Sequence, residues 1–198
     1  GRGEADLWNE PGLVELGRRL ADCVEGALPA AAAAVQRSPV LRHVVLPLDL
    51  PARKVADQEA EAVRPQVQAL AQKQIARGDS EFGLLRQLEA LLERYERQGE
   101  APLYRMELHV LRLGDIALAT NPFELFLDYG LRIKARSRAQ QTLVVQLACD
   151  LGGYLPTARA VAGGGYGALV QSGEVGPEGG QVLVERTVEI INSLWQDD

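Results

Sequence analysis

The sequence predicts an α/β fold, or an α+β variant of it, in which a mixed sheet is flanked by helices. Segments with apolar residues at helical spacing alternate with short segments rich in Val, Leu and Ile, which is the pattern of layered α/β proteins. Residues 103–113 and 116–120 surround Gly114-Asp115, a turn signal between two apolar runs. Residues 142–148 form a further apolar run, which predicts a buried strand.

The first fifty residues predict a helix followed by a strand. Residues 5–28 carry leucine and valine at helical spacing. This helix either ends near Pro29 or continues through the alanine run at 30–34. Residues 40–48 are rich in Val and Leu and have prolines near both ends, so we expect a strand there.

Two helices are expected next. Residues 53–77 are rich in Ala, Gln and Glu with regularly spaced apolar residues, and Pro65 is expected to bend this helix. Residues 81–98 show a clear amphipathic pattern, which Asp79 or Ser80 caps at its start and a glycine ends.

After the hairpin of residues 103–120, the pattern alternates again. Residues 124–135 are typical of a helix, and residues 142–148 of the buried strand. Glycine-rich loops are expected over 150–180, and residues 181–195 predict a closing helix.

Composition excludes several classes of protein. The chain has 198 residues, a net charge of −6 and 46% hydrophobic residues, which suits one globular domain or a large piece of one. A nucleic-acid partner is not expected, because such proteins present a basic face to phosphates. Two cysteines exclude a disulfide-rich scaffold, and no apolar run is long enough to cross a bilayer. The chain starts at Gly1 without a signal-peptide pattern, so we expect a processed start or a fragment.

Most candidate catalytic residues have a structural explanation. His43 and His109 each lie among apolar residues of a predicted strand and form no metal-binding pair in the sequence. Cys149 has no histidine near it, and no Gly-x-Ser-x-Gly motif is present, so nucleophilic catalysis has no local support.

A glycine-rich segment and a basic cluster are two further candidates for binding sites. Residues 163–167 are glycine-rich but lack the Lys-Ser/Thr of a phosphate loop, so a close approach to a ligand or to neighbouring backbone is the better interpretation. A basic cluster at the end of the 124–135 helix is interpreted as a solvated helix end rather than an anion site. Its members are Arg132, Lys134, Arg136 and Arg138.

One carboxylate and one phenol are placed where α/β proteins bind ligands. Glu124 stands between apolar residues at a strand end and a predicted helix start, where Pro122 fixes the helix entry. Tyr154 follows the predicted strand 142–148 in the same way. Ligands bind at the ends of strands in α/β sheets. If the two strands are adjacent, Glu124 and Tyr154 meet at one rim; the alternative for Glu124 is helix-end electrostatics.

Four blocks in order resemble the neutral/alkaline non-lysosomal ceramidase family. The resemblance covers residues 103–195 well and residues 1–100 only loosely. The blocks are Leu113-Gly114-Asp115-Ile116-Ala117-Leu118 with Pro122-Phe123-Glu124-Leu125-Phe126 and Gly130-Leu131-Arg132, then Gly153-Tyr154-Leu155-Pro156-Thr157, Gly165-Tyr166, and Val175-Gly176-Pro177.

The resemblance implies a zinc-dependent amidohydrolase acting on a lipid-like N-acyl amide such as ceramide. In that family, a single zinc ion is held by two histidines, a glutamate and a tyrosine. The resemblance matches the glutamate to Glu124 and the tyrosine to Tyr154. The second family tyrosine, near the scissile amide, matches Tyr166 as a catalytic residue. Zinc lowers the pKa of a bound water and polarises a carbonyl. The family also implies a secreted or periplasmic enzyme, while oligomeric state stays open.

The sequence departs from the family pattern at several positions. Phe123 replaces a common Gly, Cys149-Asp150-Leu151 replaces frequent Asn and Tyr, and Gly167 replaces a common Glu. His43 and His109 do not match the family's zinc histidines, which lie in its N-terminal half. We therefore expect residues 1–198 to be a single domain or the C-terminal portion of a ceramidase-like catalytic domain, with two histidine ligands supplied by a missing N-terminal region. The alternative is a non-catalytic binding or structural module that has lost the metal.

Overall fold

The computed structural model describes residues 10–100 and 102–196 and confirms a mixed α/β fold with flanking helices. Its contacts divide the chain into two compact units, residues 1–39 and 40–198. The first unit contains helix α1 (Glu10–Ala33). The helix does not end near Pro29 but continues into the alanine run, which is the second of the two alternatives given above. Residues 5–9 of the predicted helix lie outside the described residues.

The second unit contains eleven helices and strands among the described residues. In chain order they are β1 (Leu41–Pro51), α2 (Asp57–Ala71), α3 (Ser80–Arg97), β2 (Leu103–Leu113), β3 (Ile116–Thr120), β4 (Phe123–Leu125), α4 (Leu127–Arg136), β5 (Gln141–Val145), β6 (Gly153–Leu155), α5 (Ala158–Gly163) and α6 (Pro177–Ser193). Two short 3-10 turns, at 166–168 and 170–172, stand between α5 and α6.

The main sheet has four strands in the order β1-β2-β3-β5. Strands β1 and β3 each pair antiparallel with β2, and the predicted hairpin at Gly114-Asp115 joins β2 to β3. Strand β5 pairs parallel to β3, so the sheet is mixed as expected. The alternating residues of one sheet face join α4 and α6 in the main core, which includes Leu50, Leu108, Val110 and Ile191.

Helices α2 and α3 pack together around a second apolar cluster that includes Val63, Leu88 and Leu91. Val170, from the second 3-10 turn, belongs to the same cluster. The chain between α5 and α6 is therefore fixed against α3, which matters for the site described below. No helix in the described part of the chain is long and apolar enough to cross a membrane.

Several predicted boundaries were wrong. Helix α2 ends at Ala71, six residues before its predicted end, while α6 begins at Pro177, four residues before its predicted start, because Pro suits the first helical turn. The predicted buried strand 142–148 is shorter, and Leu143 and Val145 are 41% and 38% exposed. Leu143 and Val145 share one face of β5, which is open to solvent, whereas Thr142 on the opposite face is buried.

A second, two-stranded sheet pairs β4 with β6 in parallel. Both strands fall where the sequence predicted other structure. Residues 153–155 were expected in a loop, and Glu124 was expected in the first turn of a helix. Helix α4 instead begins at Leu127, so Pro122 leads into strand β4 and does not fix a helix entry.

Candidate functional site

Glu124 and Tyr154 lie side by side in the small sheet. They are direct register partners across the parallel strands β4 and β6. Side chains alternate between the two faces of a strand, and the neighbours Phe123 and Leu125 are buried while Glu124 is partly exposed. The Glu124 carboxylate acts on the Tyr154 phenol and raises its pKa. The structure thus brings together the two oxygens that the sequence placed at one rim.

The pairing depends on a bulging connection between β5 and β6. Ile116 pairs with Gln141, whereas Phe123 pairs with Gly153, so the β5–β6 segment carries five more residues than the β3–β4 segment between the two pairs. The surplus is taken up by a tight loop in which Leu147 and Cys149 adopt positive φ angles of 53° and 70°. This conformation is uncommon for residues other than glycine.

Two amide side chains fasten β4 to this connection. Asn121 is buried, and its Oδ1 accepts a hydrogen bond from the backbone N of Phe123 at 3.1 Å. Gln146 Oε1 accepts one from the backbone N of Leu125 at 2.7 Å. Buried backbone donors need such partners. Neither residue was predicted to position the site; the available signal was a polar amide after residues 116–120 and another, within the predicted strand 142–148, after residues 142–145.

Glycines close to Tyr154 leave room for its ring and backbone. A Cβ on Gly167 would stand 2.9 Å from Tyr154 Cδ1, and one on Gly173 would stand 1.9 Å from the Tyr154 carbonyl oxygen. Gly153 has a φ of +67°, and a Cβ there would meet the Ser172 carbonyl oxygen at 2.5 Å. Larger residues at these positions would displace strand β6 and with it the phenol.

Tyr166 stands next to Tyr154. The two rings meet edge to face, with centroids 5.6 Å apart and an interplanar angle of 80°. Tyr166 is 63% exposed, so its hydroxyl is accessible to a bound molecule. The chain reaches it through Gly164 and Gly165, whose φ angles of +73° and +110° favour glycine. The glycine-rich segment 163–167 therefore positions Tyr166. Its last residue, Gly167, lies against the side-chain ring of Tyr154 and not against the ligand or neighbouring backbone that the sequence predicted.

The local charges keep the Tyr154 phenol protonated. Its hydrogen bond to Glu124 raises the pKa of Tyr154, and desolvation and the nearby carboxylate charge act in the same direction. A cation bound between the two groups would oppose these effects, because it favours the charged phenolate. The pair thus offers one carboxylate and one phenol oxygen to a metal ion, beside a second phenol that can donate a hydrogen bond.

Glu124 and Tyr154 carry oxygen atoms of the kind that zinc binds. Zinc sites take oxygen, nitrogen and sulfur ligands, with three or four of them from protein. The two side chains come from directly paired residues of β4 and β6. Within residues 10–100 and 102–196, no group of three or more His, Cys, Asp and Glu side chains is placed to hold a metal ion.

The two histidines lie together elsewhere, in strands β1 and β2. Their rings stack with centroids 5.3 Å apart, and His43 Nε2 is 3.1 Å from His109 Nδ1. The Nε2 atom of His109 is buried, and Glu107 Oε2 is 3.7 Å away. Their contact is with each other across two strands, and neither belongs to a metal-holding group with Glu124 in the described structure.

The remaining candidates have structural surroundings. Cys149 is a free, exposed thiol in the tight loop before β6. In the basic cluster, Arg136 Nη2 pairs with Glu185 Oε2 of α6 at 2.5 Å, and Arg132 donates to Gln181 of the same helix. Two of the four cations therefore attach α4 to α6 and are not simply a solvated helix end.

The fold and site define a mixed α/β unit that carries a paired carboxylate and phenol. No family model matches the chain, and no curated protein does. Among solved structures, it is similar to a ceramidase complexed with C2, with 13% identity, a TM-score of 0.46 and coverage of 82% of this chain and 31% of the other. It is also similar to the neutral ceramidase from Pseudomonas aeruginosa, with 15% identity, a TM-score of 0.45 and coverage of 81% and 29%. The chain thus spans about three-tenths of the length of these ceramidases.

Proposed function

We propose that this chain supplies part of the active site of a zinc-dependent amidohydrolase that cleaves the N-acyl amide bond of a lipid-like substrate, such as ceramide. The supporting observation is the register pairing of Glu124 with Tyr154, which sets two residues thirty positions apart side by side in the small sheet. The ordered sequence blocks around these residues resemble the ceramidase family in the same region.

Glu124 and Tyr154 would hold the zinc ion together with two imidazoles from outside the described residues. When bound, zinc supplies an acidified water and polarises the amide carbonyl. Glu124 contributes the negative charge that balances the cation. Tyr154 contributes an oxygen whose place is fixed by the close packing of Gly167 and Gly173. Both side chains are therefore positioned by backbone contacts before any ligand arrives.

Tyr166 is proposed to bind the substrate carbonyl. Its hydroxyl is accessible, and the edge-to-face contact with Tyr154 holds its ring beside the oxygen pair. A phenol can donate a hydrogen bond to the oxyanion that develops when the carbonyl is attacked. Losing one such donor typically lowers kcat by about 100-fold or more.

The experiment measures zinc content and amide hydrolysis on the intact gene product. We expect Glu124→Gln and Tyr154→Phe each to lower the bound zinc, measured by mass spectrometry after dialysis, and the hydrolysis of a fluorogenic ceramide. Tyr166→Phe is expected to keep the zinc and lower kcat. Tyr95→Phe is the matched control, because its hydroxyl also donates to a carboxylate, Asp57, at 2.9 Å but far from these residues in the chain.

The isolated chain of residues 1–198 is expected neither to bind zinc tightly nor to hydrolyse amides, because it provides only two of the ligands. A stoichiometric zinc complex of this chain with nanomolar affinity would overturn that expectation. If Glu124→Gln of the intact protein keeps both its zinc and its activity, the ligand assignment is wrong. An intact protein without zinc or activity would favour the non-catalytic module.

A further inference from the structure

A cavity of about 620 Å³ lies beside strand β6, apart from the oxygen pair. Its wall is formed by one face of α3, the residues that follow β1, the start of β2 with Pro102 before it, and segments 151–153 and 171–174. The volume is in the range of sites for small molecules. Gly153 lines this cavity, whereas Tyr154 and Glu124 do not.

Four cationic side chains line the cavity: Arg53, Lys54, Arg94 and Arg97. Two of them, Arg53 and Arg94, donate hydrogen bonds to backbone carbonyl oxygens. Arg94 Nη1 and Nη2 donate to the carbonyl oxygens of Gly173 and Val170 at 2.9 and 2.6 Å, and Arg53 Nη1 donates to that of Ala168 at 2.8 Å. Lys54 and Arg97 are exposed at the cavity, and neither forms an ion pair within the described residues.

One N–H donor of the Arg94 guanidinium has no acceptor in the described structure. Arg94 Nε is buried and has no hydrogen-bond partner in the described structure. Burial lowers the pKa of Arg94, the nearby Glu174 raises it, and the like charge of Arg53 lowers it. A buried donor without a partner is costly, and Arg94 is also one of the residues that line the cavity.

The rest of the lining combines two carboxylates with apolar surface. Glu93 and Glu174 offset part of the positive charge, but the cations outnumber them by two to one in a chain whose net charge is −6. Leu91, Leu103 and Leu151 add apolar wall, and Leu103 and Leu151 are 53% and 75% exposed. Guanidinium groups bind carboxylate and phosphate oxygens well, and leucine side chains favour an apolar body.

We propose that this cavity binds an amphiphilic anion, in which a carboxylate or phosphate head group is carried on an apolar body. The head group is met by the exposed Lys54 and Arg97, and the charge of Arg94 adds to the positive potential of the cavity. The apolar body packs on the leucines. This site needs no metal and none of the residues assigned to the oxygen pair, so it stands independently of the proposed amidase.

The test is calorimetric titration of the protein with octanoate, octyl phosphate, inorganic phosphate and 1-octanol. We expect octanoate or octyl phosphate to bind at least ten-fold more tightly than both 1-octanol and inorganic phosphate, and the tighter of the two identifies the head group. The double variant Lys54→Gln/Arg97→Gln is expected to weaken binding about ten-fold. Lys134→Gln/Arg138→Gln is the control, since it removes the same charge outside the cavity.

Four results would overturn the proposal: no binding of either amphiphile at millimolar concentration, equal binding of 1-octanol, equal binding of inorganic phosphate, or an equal loss in the control variant. Lys54 and Arg97 are exposed, so their variants are expected to fold, and circular dichroism checks this. Repeating the titration with Glu124→Gln separates the two proposals. Octyl binding unchanged in that variant supports a distinct cavity site, whereas its loss would place the ligand at the oxygen pair.

Discussion

Neighbouring residues of strand β6 belong to two different environments. Tyr154 points its phenol at the Glu124 carboxylate, where two oxygen atoms favour a cation, while Gly153 lines a cavity rich in arginine and lysine, which favours an anion. The oxygen pair is positioned by strand register and by glycines in close contact. The cavity wall is positioned by arginine side chains that bind backbone carbonyls. Backbone packing thus fixes one site, and charged side chains fix the other.

Gly173 contacts both environments, so its substitution is expected to have the largest effect on the free energy of unfolding. Its carbonyl accepts from Arg94, and a Cβ on it would stand 1.9 Å from the Tyr154 carbonyl oxygen. We expect Gly173→Ala to lower the free energy of unfolding by about 3 kcal/mol, measured by urea denaturation, because neither backbone can give way cheaply.

Gly130→Ala is the control for this change, since it lies inside α4 with no atom within 4 Å of a built Cβ. It is expected to stabilise the protein by about 0.5–1 kcal/mol, as alanine restricts the unfolded chain. Equal effects of the two variants would show that the contact between Gly173 and Tyr154 is not a constraint.

The variant Arg94→Lys changes contacts at the cavity and leaves Glu124 and Tyr154 as they are. Lysine can bind one carbonyl where arginine binds two, so we expect a loss of about 2 kcal/mol in the free energy of unfolding. Hydrogen exchange should become faster in segment 168–174 and stay unchanged in β4. Arg86→Lys is the control, because Arg86 is exposed on the same helix and pairs with Glu89. Faster exchange at β4 would mean that the two environments are not separate.

The smallest effect concerns pH and compares the two phenols. Burial raises the pKa of Tyr104, which lines the cavity, and the charge and hydrogen bond of Asp150 add to this; at Tyr154 the hydrogen bond to Glu124 is the first cause. A phenol with a raised pKa favours the folded state up to its ordinary pKa near 10, and this contribution is lost as the pH rises further.

Asp150→Asn is therefore expected to lower the Tyr104 pKa only in part, because burial remains, and to reduce the alkaline loss of stability slightly. Titration of ¹³C-labelled tyrosines by NMR measures this. If the pKa of Tyr104 returned to its ordinary value in Asp150→Asn, the Asp150 carboxylate and not burial would be the main cause of its shift. A neighbouring carboxylate would then be the main cause at both Tyr104 and Tyr154, and the two phenols would not differ in this respect.

Local sequence patterns predicted much of the fold. The hairpin strands β2 and β3 agree with their predicted bounds, since alternation and a Gly-Asp turn are local signals. The three-residue strands β4 and β6 were missed, because they are too short to show any periodicity and exist only through their pairing. Strand β5 was expected to be buried, but the face that carries Leu143 and Val145 is open to solvent, which its apolar sequence does not report.

The candidate site was predicted in part for the same reason. Glu124 and Tyr154 were recognisable as polar groups after apolar runs, although Glu124 was assigned to a helix. Asn121 and Gln146, which hold β4, were not recognised, since their partners are backbone atoms of other segments. The Arg94 contacts span more than seventy residues of chain and left no sequence signal.

The amino-acid sequence by itself determined the order of helices and strands, the acidic charge and the residue types at the strand ends, because these follow from spacing and composition over a few turns of chain. Tertiary structure decided which strand ends meet. The parallel register that sets Glu124 against Tyr154 depends on a surplus of residues bulging before β6, and the basic cavity arises where distant helix α3 meets the loop before α6. Both are consequences of long-range packing, which no segment encodes alone.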